Sequence, residues 1–266
     1  MLIDGRQVAD DIYKALAERR AHFDREIKLG IVVVGADPVI ESFVRIKTRA
    51  AERLRIRMVR LDLPAESATE FVRTEVRRLA TEVDALIVQL PLPKHISTND
   101  VLAAIPLEKD VDALNPTVPE DRHPVFAPVA LAVVELLKRS RVPIEGTRAV
   151  VVGAGRLVGA PTAALLRQLG AHVSLFTLER GSVRDLKDAD IIVSGAGNPG
   201  FIKPEHLKMG VALIDAGTSE SKGKVVGDAD PACATKTSVF TPVPGGVGPV
   251  AVAMIFRNFF DLLEMH

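Results

Sequence analysis

Three polar side chains in the first half of the chain have the chemistry needed for proton transfer and for recognition of a polar ring. Lys47 shares one face of a predicted helix with apolar residues, and a lysine in such surroundings loses its charge more readily than an exposed one. The apolar residues on that face are Ile40, Phe43, Ala50 and Leu54. Gln89 ends an apolar run and carries both donors and an acceptor, so it can bind the amide-like edge of a ring. Asp112 can bind a ring nitrogen or an amino group.

Each of these residues also has a purely structural interpretation. Lys47 could extend its ammonium group to solvent, Gln89 could bind loop backbone, and Asp112 could form an ion pair or cap a helix. Their shared location favours a site, because each is expected at the carboxyl edge of one parallel sheet, where ligands bind in open α/β folds.

A glycine-rich turn is the second candidate site. An apolar run at 149–152 predicts a buried strand, Gly153, Gly155 and Gly159 follow, and leucines at helical spacing continue over 165–169. Such a turn lets backbone approach a pyrophosphate at a helix start. The spacing Gly-x-Gly-x-x-x-Gly is one residue longer than the commonest dinucleotide fingerprint, so an ordinary tight turn is the alternative.

Composition excludes several classes of function. Lys+Arg 34 balance Asp+Glu 34, which argues against nucleic acid or an anionic membrane as partner. The single cysteine, Cys233, fits a reducing compartment, and the six histidines show no metal-ligand spacing. No apolar run reaches the roughly 20 residues that span a bilayer, and the N-terminal segment lacks a secretory pattern. We therefore expect no metal and a cytoplasmic location.

The elements that must position these residues alternate between helix and strand. The fold class predicted is α/β, with two α/β domains, the second a Rossmann-like doubly wound parallel sheet, and a cleft between them. We expect the first domain to comprise 1–122 plus 248–266 and the second 123–247. The sequence predicts a first helix that reaches about Phe23 and a short helix at 97–105. Near the end of the chain it predicts a strand at 239–241, a turn-rich loop at 241–249 and a final helix at 251–263.

Several motifs, in order along nearly the whole chain, resemble those of the bifunctional methylenetetrahydrofolate dehydrogenase/cyclohydrolase family. They are SFVRIK (42–47), VQLPLP (88–93), KDVD (109–112), VGAGRLVGAP (152–161), NPGFI (198–202) and TPVPGGVGP (241–249). The resemblance implies that methylenetetrahydrofolate passes a hydride to a nicotinamide cofactor and that water then opens the methenyl product to formyltetrahydrofolate. It implies a folate-binding first domain, a cofactor-binding second domain and a homodimer.

The resemblance also assigns roles to residues. Lys47 would handle protons in the hydrolysis with help from Gln89, and Asp112 would hold the pterin ring. The substrate contacts implied are Phe43, Leu90, Pro91, Gly246, Gly248 and Pro249. The cofactor contacts implied are Gly153, Ala154, Gly155, Arg156, Val158, Thr177, Gly195, Gly197 and Thr218.

The chain departs from the family pattern at four places. Phe43 stands where the motif has tyrosine, so the hydroxyl near Lys47 is lost and we expect a weakened cyclohydrolase. Gly153-Ala154-Gly155 replaces Gly-Arg-Ser, which removes an arginine suited to the 2′-phosphate of NADP. The run 177–180 replaces a His-Ser-Arg-like segment. The run 125–128 replaces Pro-Cys-Thr-Pro and puts that part of the substrate site in doubt.

Cofactor choice follows from the second and third of these departures. Glu179 could bind a ribose 2′-hydroxyl, whereas Arg156 or Arg180 could bind a phosphate. We expect NADP on the family pattern, with NAD as the alternative.

Two other functions stay open at this point. The protein could be a dehydrogenase only, as a consequence of Phe43, or a folate- or nucleotide-binding regulator that has lost turnover. Presence of Lys47, Gln89 and Asp112 together argues against the regulator. An unrelated dehydrogenase would explain the glycine turn but not the motifs of the first half.

Overall fold

Two parallel sheets carry the alternating helices and strands of this chain. The computed structural model describes residues 1–177, 181–221 and 224–265. In chain order the elements are α1 (Gly5–Arg20), β1 (Lys28–Val34), α2 (Pro38–Arg53), β2 (Arg57–Leu63), α3 (Thr69–Ala80), β3 (Ala85–Val88), α4 (Thr98–Leu102), α5 (Pro128–Arg139), β4 (Arg148–Val152), α6 (Gly159–Gln168), β5 (His172–Phe176), β6 (Ile191–Ser194), β7 (Val211–Asp215), β8 (Ser219–Ser221), β9 (Lys224–Val226), β10 (Thr237–Phe240) and α7 (Val247–Glu264).

The first sheet has three parallel strands in the order β2-β1-β3. Every residue of β3 and all but the first of β1 are buried, as expected for apolar strands covered on both faces. Since β1 lies between the second and third strands, the loops after β1 and β3 leave the sheet side by side. The strand order therefore places the start of α2 next to the residues that follow β3.

The second sheet has five parallel strands in the order β10-β7-β6-β4-β5. Counted within this sheet the order is 2-1-3-4-5, a doubly wound order in which the connection reverses between the first and third strands. Ligands of such sheets bind at this switch point, beyond the carboxyl ends of the strands. Here those ends are followed by Gly153 and Gly195. The α/β fold class with a doubly wound second sheet is confirmed.

Contacts divide the chain into two compact units, 1–10 with 129–254, and 11–128 with 255–266. The predicted boundaries of the functional domains stay a prediction. Among the described residues, no helix is long and apolar enough to cross a membrane.

Several predicted limits are wrong. Helix α1 ends at Arg20 rather than near Phe23, α4 covers only 98–102, and the last strand is 237–240 rather than 239–241. Gly248 and Pro249 were expected in a loop but belong to the first turn of α7, where proline is tolerated because first-turn N–H groups have no helical partner. The short antiparallel hairpin of β8 and β9 was not predicted at all.

Candidate active site

Helix α2 positions Lys47 and begins with a well-formed cap. The Asp37 carboxylate accepts hydrogen bonds from the N–H groups of Val39 (2.8 Å) and Ile40 (3.1 Å), and Pro38 occupies the first turn. The buried face of the helix fixes its position on the sheet; its buried residues are Ile40, Val44, Ala50 and Ala51. Lys47 shares this face, because positions 40, 44, 47 and 51 recur at helical spacing, and its side chain is partly buried.

The ammonium group of Lys47 meets the side chain that ends β3. Lys47 Nζ donates a 2.9 Å hydrogen bond to Gln89 Oε1, and Gln89 Nε2 donates to the Leu90 carbonyl at 2.8 Å. The Gln89 backbone N–H continues the sheet by donating to Val32 O at 2.9 Å. Because both ends of the buried Gln89 amide are bonded, its oxygen is held towards the lysine. The structure thus brings together two of the three residues singled out from the sequence.

Electrostatics at this cluster favour proton exchange. Burial lowers the pKa of Lys47 below its ordinary 10.5, and the negative charge of Asp112 partly opposes that change. Burial likewise raises the pKa of Asp112, opposed by the positive charge of Lys47. The two groups therefore interact, and an amine with a lowered pKa can take up and release a proton more easily.

The loop that carries Asp112 is fixed by two residues that the sequence analysis missed. Asp110, almost fully buried, accepts hydrogen bonds from the N–H groups of Leu114 (2.8 Å) and Asn115 (2.7 Å), and burial raises its pKa to about 6. Asn258 of α7 donates to the Val111 carbonyl at 2.8 Å. Asn258 was not found because its partner is 147 residues away in sequence. The signal for Asp110 was its position two residues before Asp112 in the same motif.

The proposed substrate contacts fall into two groups. Leu90 and Pro91 directly follow Gln89 and are joined by a cis peptide bond. Phe43, one helical turn before Lys47, is 44% exposed, so its expected place on the apolar face is wrong: Val44 is buried instead. Gly246, Gly248 and Pro249 belong to the other compact unit from Lys47, so the structure does not assemble them with the lysine within one unit.

The glycine turn between β4 and α6 is built around close backbone approaches. A Cβ on Gly159 would lie 1.7 Å from the Gly153 carbonyl oxygen, and one on Gly153, whose φ is +92°, would lie 2.7 Å from Gly195 O. A Cβ on Gly195 would lie 2.4 Å from Val158 Cγ1. At Gly155 a Cβ would meet no protein atom within 4 Å, so this backbone faces open space as contact with a phosphate requires.

The residues expected at the cofactor share one edge of the second sheet. The turn containing Gly153, Ala154, Gly155, Arg156 and Val158 follows β4. The others follow neighbouring strands: Thr177 after β5, Gly195 and Gly197 after β6, and Thr218 after β7. Ala154, Gly155, Arg156 and Thr218 are exposed. This edge fits a dinucleotide, with the glycine turn as the place for its phosphates. Glu179 and Arg180 lie outside the described residues.

Among the residues that the structure describes, no group of three or more His, Cys, Asp or Glu side chains is arranged to hold a metal ion. Cys233 is buried, and burial raises its pKa to about 11, so it is an inert thiol.

Comparison with known proteins decides the family. The model of the tetrahydrofolate dehydrogenase/cyclohydrolase catalytic domain matches residues 3–112, and that of the family's NAD(P)-binding domain matches residues 127–266. The chain belongs to the tetrahydrofolate dehydrogenase/cyclohydrolase family. The resemblance inferred from the motifs is thereby confirmed.

Individual relatives match this chain over nearly their full length. The bifunctional protein FolD of Methanoculleus marisnigri is 38% identical over 275 residues, which cover 100% of this chain and 97% of that protein. The Trypanosoma brucei methylenetetrahydrofolate dehydrogenase-cyclohydrolase, solved with NADP and an inhibitor, is 35% identical with a TM-score of 0.94, covering 100% and 97% of the two chains. The bifunctional FolD enzyme of Campylobacter jejuni is 29% identical with a TM-score of 0.93, covering 100% and 99%.

The family membership confirms the predicted enzyme. The chain is an NAD(P)-dependent methylenetetrahydrofolate dehydrogenase and methenyltetrahydrofolate cyclohydrolase of one-carbon folate metabolism. The comparisons give no support to a dehydrogenase-only protein or to a non-catalytic regulator.

Proposed function

We propose that Lys47, Gln89 and Asp112 are the residues at which the folate is bound and hydrolysed. The observation that carries this proposal is the 2.9 Å hydrogen bond from Lys47 Nζ to Gln89 Oε1, in surroundings that lower the lysine pKa. Gln89 orients the amine, and Asp112 binds the pterin ring through its carboxylate. Leu90, Pro91 and Phe43 are the nearby apolar contacts for the substrate, and Gly246, Gly248 and Pro249 are proposed as further contacts.

In hydrolysis, water adds to the methenyl carbon and the bond from that carbon to N5 then breaks, which leaves the formyl group on N10. Uncharged Lys47 accepts the proton that the attacking water loses. The same amine, now an ammonium, returns a proton to N5 as this nitrogen leaves, and the remaining hydroxyl proton passes to solvent as the formyl C=O forms. A lowered pKa helps both transfers because the lysine then exists in both forms near neutral pH more often than an exposed lysine does.

The cofactor is bound at the edge of the second sheet that carries the glycine turn. Ala154, Gly155 and Arg156 would contact the phosphates through backbone N–H groups and the arginine charge. Gly153 and Val158, whose N–H groups donate to Phe176 O and Gly155 O, would contact the cofactor through the shape of the turn instead. Thr177, Gly195, Gly197 and Thr218 would contact the rest of the dinucleotide. When bound, the nicotinamide supplies the hydride acceptor for the dehydrogenase step. We propose NADP rather than NAD, supported by the NADP in the Trypanosoma brucei relative and by the exposed Arg156.

Phe43 is proposed to make the two activities unequal. It precedes Lys47 by one helical turn, and its phenyl ring provides no hydrogen bond where the motif has a tyrosine hydroxyl. Hydride transfer depends on positioning more than on that hydroxyl, so we expect the dehydrogenase to be retained and the hydrolysis to be slow.

A product-resolved assay tests this proposal. Wild type and Phe43→Tyr are incubated with methylenetetrahydrofolate and each cofactor, and methenyl and formyl products are followed separately. A hydrogen bond to a charged group corresponds to about tenfold in rate, so Phe43→Tyr should accelerate hydrolysis by about tenfold and leave oxidation unchanged. Equal hydrolysis by both proteins would remove the role of Phe43. Faster turnover with NAD would overturn the cofactor preference.

The organisation of the whole protein completes the proposal. The folate-binding domain comprises 1–122 with 248–266, and the cofactor-binding domain comprises 123–247. We propose a homodimer in the cytoplasm. Its support is β5, an edge strand on which Leu175 is 39% exposed, although strands of parallel sheets are usually covered. Sedimentation at the mass of one 28.6 kDa chain would contradict the dimer.

A further inference from the structure

Two buried aspartates pack against each other at the edge of the second sheet that carries the glycine turn. Asp215 ends β7 and Asp228 follows β9, and the two side chains are almost completely buried. A Cβ on Gly217 would lie 2.4 Å from Asp228 Cγ, and a Cβ on Gly227 would lie 2.1 Å from Asp215 Oδ2. The Asp228 carboxylate therefore fills the space beside Gly217, and the Asp215 carboxylate fills the space beside Gly227. This close packing couples the position of the segment at 215–217 to that of the segment at 227–228.

Asp228 holds the loop after β6 at three points. Its Oδ2 accepts hydrogen bonds from Ser194 Oγ (2.7 Å) and from the N–H of Ala196 (2.7 Å), and its Oδ1 accepts from the N–H of Asn198 (2.8 Å). The residues from Ser194 to Asn198 include Gly195 and Gly197, two of the proposed cofactor contacts. All three of these groups donate to Asp228, and only a carboxylate can accept from all of them.

Asp215 in turn fixes the segment that carries Asp228. It accepts hydrogen bonds from the N–H groups of Gly217 (2.9 Å), Asp228 (3.2 Å) and Ala229 (2.8 Å). The backbone N–H of Asp215 donates to Thr241 Oγ1 at 2.7 Å, at the end of β10. The loops after β6, β7, β9 and β10 are thus held by one connected set of hydrogen bonds.

The loop held by Asp228 packs directly on the glycine turn. Gly195 O would lie only 2.7 Å from a Cβ on Gly153, and Val158 occupies the space next to Gly195. A shift of a few tenths of an ångström in the loop would therefore displace the turn where the phosphates are proposed to bind.

We propose that Asp228 is a positioning residue for the cofactor: it touches neither reactant, and it sets the shape of the dinucleotide site by fixing the loop from Ser194 to Asn198. This inference rests on the proposed cofactor site. It predicts that loss of the carboxylate raises the Kd and KM for NADP without altering the folate chemistry at Lys47.

The variant that tests the proposal is Asp228→Asn, which keeps the shape of the side chain. An amide has one acceptor oxygen and one NH₂, so in either orientation its NH₂ faces the N–H of Ala196 or Asn198. We expect the Kd and the KM for NADP to rise by about tenfold or more, because a buried donor loses its acceptor. Hydrolysis of methenyltetrahydrofolate without cofactor should stay within about twofold of wild type.

Leu207→Ala is the matched control for a general loss of stability. Leu207 is buried in the core beside the same sheet, and its side chain takes part in none of the hydrogen bonds described above. The substitution should lower the Tm, since truncation of a buried leucine leaves a cavity, yet leave the Kd for NADP unchanged. Ser194→Ala removes only the hydroxyl donor and should change the Kd less than Asp228→Asn does.

Three results would contradict the inference. Asp228→Asn with the wild-type Kd for NADP would show that the loop needs no carboxylate. An equal rise in Kd for Leu207→Ala would show that stability alone is responsible. A wild type that binds neither NADP nor NAD would remove this inference together with the proposed cofactor site, whereas the first two results would leave that site in place.

Discussion

At the scale of single residues, the surroundings of Lys47 lower the pKa of its partly buried amine. The apolar face of α2 and the sheet beneath it lower the pKa of Lys47, and Gln89 holds the amine in one direction. Without the Gln89 hydrogen bond the flexible lysine could turn to solvent, which was the structural alternative considered for it. The contact shows that this lysine points at a polar partner inside the unit.

The pKa of Lys47 leads to a prediction for Asp112→Asn. The Asp112 charge raises the lysine pKa, so removal of the charge should lower that pKa further. In the proposed mechanism uncharged Lys47 accepts the proton from water, so the rate of hydrolysis should rise with pH through the lysine pKa. In Asp112→Asn this rise should occur at lower pH than in wild type, even where the overall rate is reduced by weaker pterin binding.

The measurement is the pH profile of methenyl hydrolysis at saturating substrate for both proteins. Asp62→Asn is the control, since Asp62 is an exposed partner of Arg60 on β2 and is not among the groups that shift the pKa of Lys47. Its profile should match that of wild type. An unchanged midpoint in Asp112→Asn, or one at higher pH, would show that the carboxylate does not act on this lysine.

At the scale of elements, the two sheets bring their candidate residues together through the same strand order. In each, the first and third strands are neighbours, and the candidate residues lie on the segments that follow them, Lys47 on helix α2 and the others in loops. Lys47 and Gln89 follow the first and third strands of one sheet, and Gly153 and Gly195 follow those of the other. The strand order itself therefore brings together residues that are about 40 positions apart in sequence.

The glycine turn provides a prediction at this scale, with two glycines in different surroundings. In Gly159→Ala the new Cβ would collide with Gly153 O, so both the stability and the NADP affinity should fall. In Gly155→Ala the Cβ meets no protein atom, so the free energy of unfolding should change by less than about 0.5 kcal/mol. The NADP affinity should nevertheless fall by about tenfold, because the methyl group occupies space that the phosphates need.

Chemical denaturation followed by circular dichroism and calorimetric titration with NADP separate the two effects. Unchanged NADP affinity in Gly155→Ala would mean that the cofactor does not approach the backbone at this position. Unchanged stability in Gly159→Ala would contradict the close packing of Gly159 on Gly153.

At the scale of the whole molecule, the sequence predicted the parts with local signals and missed those without them. Buried strands such as β1 and β4 are continuous apolar runs, and such runs are visible in the sequence. The hairpin of β8 and β9 is too short to show alternation. The start of α7 was missed because Gly248 and Pro249 are read as turn residues, although both are allowed in a first helical turn.

The candidate site was predictable to a similar extent. Lys47 and Gln89 were grouped because each follows a strand, and the structure places them in contact. Asp215, Asp228 and Asn258 were not, because each acts through hydrogen bonds to backbone distant in sequence, for which residue type and spacing give no pattern. Only the folded chain shows which N–H groups need an acceptor.

Lys47 is proposed as the proton-transferring group of a cyclohydrolase, and the proposed cofactor site is formed by other residues. The most direct test is the hydrolysis rate of methenyltetrahydrofolate by Lys47→Met, corrected for the uncatalysed reaction, with the NADP Kd measured on the same sample. We predict that the hydrolysis rate of Lys47→Met falls by at least about 10²-fold, the usual contribution of general acid–base catalysis. Its Kd for NADP should stay within about twofold of wild type. Hydrolysis at the wild-type rate by a variant that still binds NADP would contradict the proposed role of Lys47.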